Sequence, residues 1–141
     1  MDTFDIKDLI LKGKRAVREY EIPNIGKVFV RPLTDLELSK GEIAMIDNIK
    51  DGKSRAYALG KTDSADGVDF TSIAEASVKG NILIAYMAMK DFADGEFTLE
   101  LLEQLPGING LAEFIREISG AQKAIESVAV TPAEMKEFRK E

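Results

Sequence analysis

Ile82-Leu83-Ile84-Ala85-Tyr86-Met87-Ala88-Met89 is the stretch whose reading decides the fold. It places apolar residues on every face over two helical turns. A helix that is apolar all round is stable only when other elements surround it. The run sits inside a longer helical pattern from about Thr71 to Ala93, closed by Asp94-Gly95. A membrane span needs roughly 20 mostly apolar residues. Glu75, Lys79, Asn81, Lys90 and Asp91 leave too few. The stretch therefore reads as a central core helix with the rest of the chain packed against it.

Toward the N-terminus, the only β signal runs from Arg15 to Leu33. Val17–Ile22 and Lys27–Arg31 are rich in β-branched and aromatic residues. Between them, Pro23-Asn24-Ile25-Gly26 suits a hairpin turn, because Pro presets φ and Asn and Gly tolerate φ > 0. Pro32 cannot donate to a ladder and ends the second strand. A lone two-stranded ribbon is weakly stable in water, so it must pack on helices, pair with a third strand or meet a partner. Before it, residues 5–12 read as a short helix with Ile6, Leu9 and Ile10 at i, i+3, i+4, stopped by Gly13. Lys12, Lys14, Arg15 and Arg18 form a basic cluster that reads as a solvated approach to the strand.

After the hairpin, Thr34-Asp35-Leu36-Glu37 opens a helix with a capping box. Leu36, Ile43 and Ile46, with Leu38, Met45 and Ile49, give it a broad apolar stripe, and Gly41 marks a kink or a close helix crossing. Asp51–Phe70, rich in Gly, Asp, Ser and Lys, reads as a mobile connector in which a half-formed helix at Ser54–Leu59 remains open. Beyond the central helix, Thr98 caps a short helix, Leu99–Leu105, halted by Pro106-Gly107. Leu111, Phe114, Ile115 and Ile118 then hold the i, i+3, i+4, i+7 pattern. Ala121, Ala124, Ile125 and Val128 repeat it, so Leu111–Ala129 reads as one long helix interrupted at Ser119-Gly120. Thr131-Pro132-Ala133-Glu134 is a further helix start.

The expected fold is α+β and mainly helical: an N-terminal β-hairpin followed by about four to six helices around a central apolar helix. At 141 residues the chain is expected to be a single domain over 1–141. Within it, 1–33 carry the short helix and hairpin, and 34–141 the helical part with the mobile 51–70 loop.

Composition excludes most chemistry. The chain has no cysteine and no histidine, which removes disulfides, thiolate metal sites, cysteine nucleophiles and the commonest general base. The net charge of −6 argues against nucleic acid as a partner, since phosphate neutralisation needs Lys and Arg. Residues 1–11 begin with acids and lack the pattern of a secretory signal, so the expected compartment is the cytoplasm. Gly60-Lys61-Thr62 resembles the end of a phosphate-binding loop, but the loop needs a glycine where Arg55 stands. The acidic loop around Asp63, Asp66 and Asp69 fails as a calcium loop, because Thr62 and Ile73 would occupy its first and last ligand positions. Acid pairs such as Glu19/Glu21 have nothing around them that forms a desolvated site. The chain is expected to be no enzyme, with no cofactor and no metal.

The order of elements resembles the tail assembly chaperones of long-tailed bacteriophages and prophages. Three stretches carry the likeness, which extends to about Lys123: the leading helix with Leu9-Ile10-Leu11; the hairpin from Arg18 through Pro23-Asn24-Ile25-Gly26 to Thr34; and Phe97-Thr98-Leu99-Glu100-Leu101-Leu102 through Gly107 to Phe114-Ile115-Arg116-Glu117-Ile118-Ser119-Gly120. The resemblance implies a cytoplasmic protein of the infected cell, absent from the mature virion. It would bind the helix-rich tape measure protein and assist tail tube protein assembly, with self-association as a further possibility and no membrane partner. The hairpin residues Tyr20, Ile22, Ile25, Val28, Phe29 and Val30 are the expected partner-binding set, because a ribbon's free edges accept a strand or helix from another chain. The rival classes are a structural phage tail or head–tail connector protein and a small regulatory binding module.

Overall fold

The computed structural model describes residues 3–120, which form six helices and one two-stranded antiparallel ribbon. The architecture is α+β and mainly helical, with the hairpin near the N-terminus.

Helix α1, Ile6–Arg15, is capped by the Asp5 carboxylate, which accepts from the Lys7 amide. It runs through Gly13 instead of stopping there. A glycine in a helix costs only about 1 kcal/mol, and Lys12, Lys14 and Arg15 in the last turn favour the helix's negative end. No side chain of α1 is buried.

Strands β1 (Arg18–Ile22) and β2 (Gly26–Val30) pair with Arg18 opposite Val30, Tyr20 opposite Val28 and Ile22 opposite Gly26. Asn24 takes the left-handed conformation of the turn, φ 64°. The ribbon then docks by its exit. The Arg31 amide donates to the Ala88 carbonyl (3.1 Å), satisfying one of the free carbonyls at a helix C-terminus. The Leu33 amide donates to Ser119 Oγ (2.8 Å), whose hydroxyl donates to the Ile115 carbonyl (2.6 Å).

Helix α2 (Asp35–Asp47) starts with the expected capping box. Glu37 N donates to Thr34 Oγ1 and the Glu37 carboxylate accepts from Thr34 N. Its apolar residues divide between two faces. Leu38 and Gly41 are buried, while Leu36 and Ile43, expected in the same stripe, face outward. The absent side chain at Gly41 lets α2 press its Leu38–Gly41–Met45 side onto the central helix, which leaves the opposite side to solvent.

The 51–70 segment carries a helix, α3 (Gly52–Ala58), packed on the central helix. Ser54 is its pin. Its Oγ accepts from the Asp69 amide (2.8 Å) and donates to Asp51 (2.8 Å), while Arg55 donates to the Ile49 carbonyl (2.8 Å).

Helix α4 (Phe70–Met89), capped by Asp69, is the centre. Helices α2, α3, α5 (Leu99–Leu102) and α6 (Ile108–Ile118) and strand β2 all pack against it. Ile82, Ile84, Ala85, Met87, Ala88 and Met89 are buried, joined by Val30, Leu33, Leu102, Leu111 and Ile115. The helix ends at Met89, short of Ala93, because the hairpin exit takes the Ala88 carbonyl and Asp91 turns toward Arg31. Helix α5 is shorter than its sequence pattern. Helix α6 begins three residues earlier than expected, at Ile108, because left-handed Gly107 (φ 79°) supplies the turn into it. Gly110 thus falls in its first turn, where a Cβ would lie 3.0 Å from the Tyr20 hydroxyl. Ser119 caps α6, and Gly120 (φ 82°) follows. The expected continuation to Ala129 and the start at Thr131 lie outside the described residues.

Candidate functional site

The alternation of a strand splits the six expected hairpin residues. Tyr20, Ile22, Val28 and Val30 share one ribbon face, and that face turns inward. Ile22 and Val30 are buried in the core and cannot meet a partner in the folded protein. Tyr20 is half-buried, its ring 5.0 Å from Phe114, and Val28 is half-buried against the core. Phe29, 50% exposed, and Ile25 at the turn, 58% exposed, are the members offered to solvent. Of the six expected hairpin residues, these two are the ones the fold leaves accessible, and the expectation that Ile22 and Val30 meet a partner is corrected by their burial.

Phe29 stands on the outer ribbon face beside Glu19, Glu21 and Lys27. Lys27 Nζ pairs with Glu19 across the strands at 3.0 Å, with both groups exposed. Such a pair contributes little stability but orients charge. Along β2 runs a shallow groove of about 210 Å³, floored by Val28 and Met89 and bordered by Lys27, Phe29, Phe92 and Ala93. The ribbon is the only sheet among the described residues, and no third described strand pairs with its outer edges.

Below the ribbon lies an ion cluster. The Arg31 guanidinium, 7% exposed, forks onto Glu37 (Nη1–Oε1 3.0 Å, Nη2–Oε2 2.7 Å) and also reaches Asp91 (3.3 Å) and the Pro32 carbonyl (3.1 Å). The Arg31 hydrogen bonds hold the Glu37 carboxyl down at about 2 and raise Arg31. Four of the five N–H groups of the guanidinium are engaged within the chain, which makes the cluster a structural clamp joining β2, α2 and the end of α4. A second polar knot sits on α4. Asn81 donates to Asn109 (2.8 Å) and accepts from Arg116 (2.8 Å), locking α6 onto the central helix.

No group of acidic side chains among the described residues is placed to hold a metal. Gly60-Lys61-Thr62 follows helix α3 instead of a strand, so it lacks the strand–loop–helix frame that cradles phosphate. No helix among the described residues is long and apolar enough to cross a membrane.

Two further apolar surfaces escaped the reading of the sequence as partner sites. The first is α1, with Phe4, Ile6, Leu9 and Ile10 all exposed. The i, i+3, i+4 spacing was the available signal, but spacing alone does not say whether anything covers the stripe. The second is the outer side of α2, with Leu36 and Ile43. No family model matches the chain, nor does any curated protein or solved structure.

Proposed function

We propose that this protein is a binding module of the tail assembly chaperone type, which holds an apolar segment of a tape measure protein in the host cytoplasm and assists tail tube assembly. It would leave the complex before the virion is complete. The observation that carries the reading is the outward hairpin surface: Ile25 exposed at the turn, and Phe29 exposed on a groove along a strand edge that no other described strand covers. A strand edge supplies main-chain hydrogen bonds to an incoming segment, and the groove supplies apolar contact. The net charge of −6 keeps a complex with an apolar client dissolved. Binding, not catalysis, fits side chains whose hydrogen bonds are spent on clamping the fold.

The test is co-expression with a tape measure protein of a long-tailed phage, followed by affinity capture. Wild type should retain the client, whereas Phe29→Asp and Ile25→Asp should lose it with unchanged thermal melts. Mass spectrometry of purified virions should find no copy of the chain. Its presence at stoichiometric level would make it a structural tail component.

A further inference from the structure

The geometry points to a second copy of this chain as the occupant of the outer face of α2, seated there through its own α1, so that copies join head to tail. Beginning with α1, Ile6, Leu9, Ile10 and Gly13 fall on one stripe at i, i+3, i+4, i+7. The three apolar side chains are exposed, and a Cβ at Gly13 would meet nothing within 4 Å. Lys7 and Lys14 border the stripe on one side and Lys12 on the other; only Asp8, paired with Lys12 at 3.0 Å, opposes them. With Arg15, the helix is strongly basic in a chain whose net charge is −6.

Helix α2 presents the reverse. Leu36, 78% exposed, and Ile43, 55% exposed, lie seven residues apart on one stripe, with half-buried Ile46 continuing it. Asp35 and Glu42 border this stripe on one side, and Asp47 with Lys40 on the other. The two stripes are of similar length, both apolar, and rimmed by opposite charge. Neither is covered by a described residue.

The charges also choose the arrangement. Pairing α1 with α1 would set Lys7, Lys12 and Lys14 against their own copies, and pairing α2 with α2 would do the same with Asp35, Glu42 and Asp47. Like charges across an interface suppress such pairings. Only α1 on α2 opposes cation to carboxylate while burying apolar surface on both sides. That contact is heterologous, because the two patches differ, and a heterologous contact propagates into a ring or an open chain instead of stopping at a dimer. A single helix-on-helix contact is at the small end of interface sizes, so association is weak, with dissociation constants of roughly 10–1,000 µM.

Sedimentation velocity on the full-length chain tests this, independently of client capture. Wild type should grow in mass beyond dimer with concentration, and less so as salt rises from about 0.05 to 0.5 M. The double variants Leu9→Asp/Ile10→Asp and Leu36→Lys/Ile43→Lys alter exposed positions and should each be monomeric with a normal melt. Mixed in equal amounts, they should form a one-to-one dimer and nothing larger, since each retains the patch the other has lost. A milder pair, Lys7→Glu/Lys14→Glu and Glu42→Lys/Asp47→Lys, keeps both apolar stripes: each variant alone should be monomeric, and the mixture should again grow beyond dimer, since reversing both rims restores opposite charge. Continued self-association of either variant alone, or a wild type that stays monomeric, overturns the proposal. A monomer that instead co-sediments with vesicles of phosphatidylserine and phosphatidylcholine would assign α1 to an anionic lipid surface.

Discussion

Gly80 of α4 and Gly41 of α2 meet backbone to backbone: a Cβ on Gly80 would lie 2.8 Å from the Gly41 carbonyl oxygen, and one on Gly41 would lie 2.5 Å from Ile84 Cγ1. Gly80→Ala drives a methyl into main chain that cannot step aside, so it should destabilise by about 2–3 kcal/mol despite alanine's helix preference. Gly41→Ala meets a fully buried isoleucine and should cost a similar amount. Gly13→Ala, with open space around it, is the control. It should raise helicity slightly and leave the cooperative melt unchanged, because α1 buries nothing. Urea unfolding and far-ultraviolet circular dichroism of the three variants decide the matter.

The Arg31–Glu37 fork makes stability depend on acid. Glu37 titrates near 4.5 when free and at about 2 in the fold. Its contribution is therefore fully present above pH 4.5 and lost as pH falls from there toward 2. The Glu37 side chain is still one-fifth exposed, so solvent screening reduces the effect to about 1–2 kcal/mol. Glu37→Gln should lower stability by that amount at pH 7 and flatten the fall between pH 4.5 and 2. A variant whose pH profile parallels wild type would show that other carboxylates carry acid sensitivity.

Asn81 is the polar residue at the head of the apolar run, and it is buried. Replacing it with Leu removes the acceptor of Arg116 and the donor to Asn109 together. Leaving a partly buried guanidinium without that acceptor should cost about 1–3 kcal/mol. Arg116→Met in the same background should recover part of the loss, and a double-mutant cycle measures the coupling.

Trypsin should cut at Lys61 before Lys53 or Arg55. The latter two sit in α3, and Arg55 is bonded to the Ile49 carbonyl. Lys61 lies beyond the helix, after left-handed Gly60. Mass spectrometry of the first fragments reads the order.

What was legible in the residues was whatever local chemistry decides. The capping box at Thr34, the Asn24 turn and the all-round apolar run each announce a structure within a few positions. Burial direction was less legible. Nothing local to Leu36 and Leu38 says which faces α4; that is decided by the long-range approach of Gly41 to Gly80. The connector at 51–70 looked unstructured because its helix is held by the Ser54 hydroxyl between Asp51 and Asp69, a bond spanning fifteen positions. For the candidate site, the hairpin was visible, but the face that turns inward was not. Alternation groups Tyr20 with Val28 and leaves open whether that group or Phe29 meets the core.

The neighbours Phe29 and Val30 settle that orientation in solution. They are adjacent in sequence and opposite in environment: Phe29 is half exposed, while Val30 is fully buried opposite Arg18 and against the core. Val30→Lys would bury an ammonium without a partner, and the loss should reach 3 kcal/mol or more, with the cooperative melt weakened or abolished. Phe29→Lys removes an exposed ring and adds a charge in water, so stability should change by no more than about 0.5 kcal/mol. The contrast matters for function, because only a variant that leaves the melt intact can report on a partner. If Phe29→Lys unfolds the protein while Val30→Lys is tolerated, the ribbon is turned over relative to this structure, and the partner-facing residues revert to Tyr20, Ile22, Val28 and Val30.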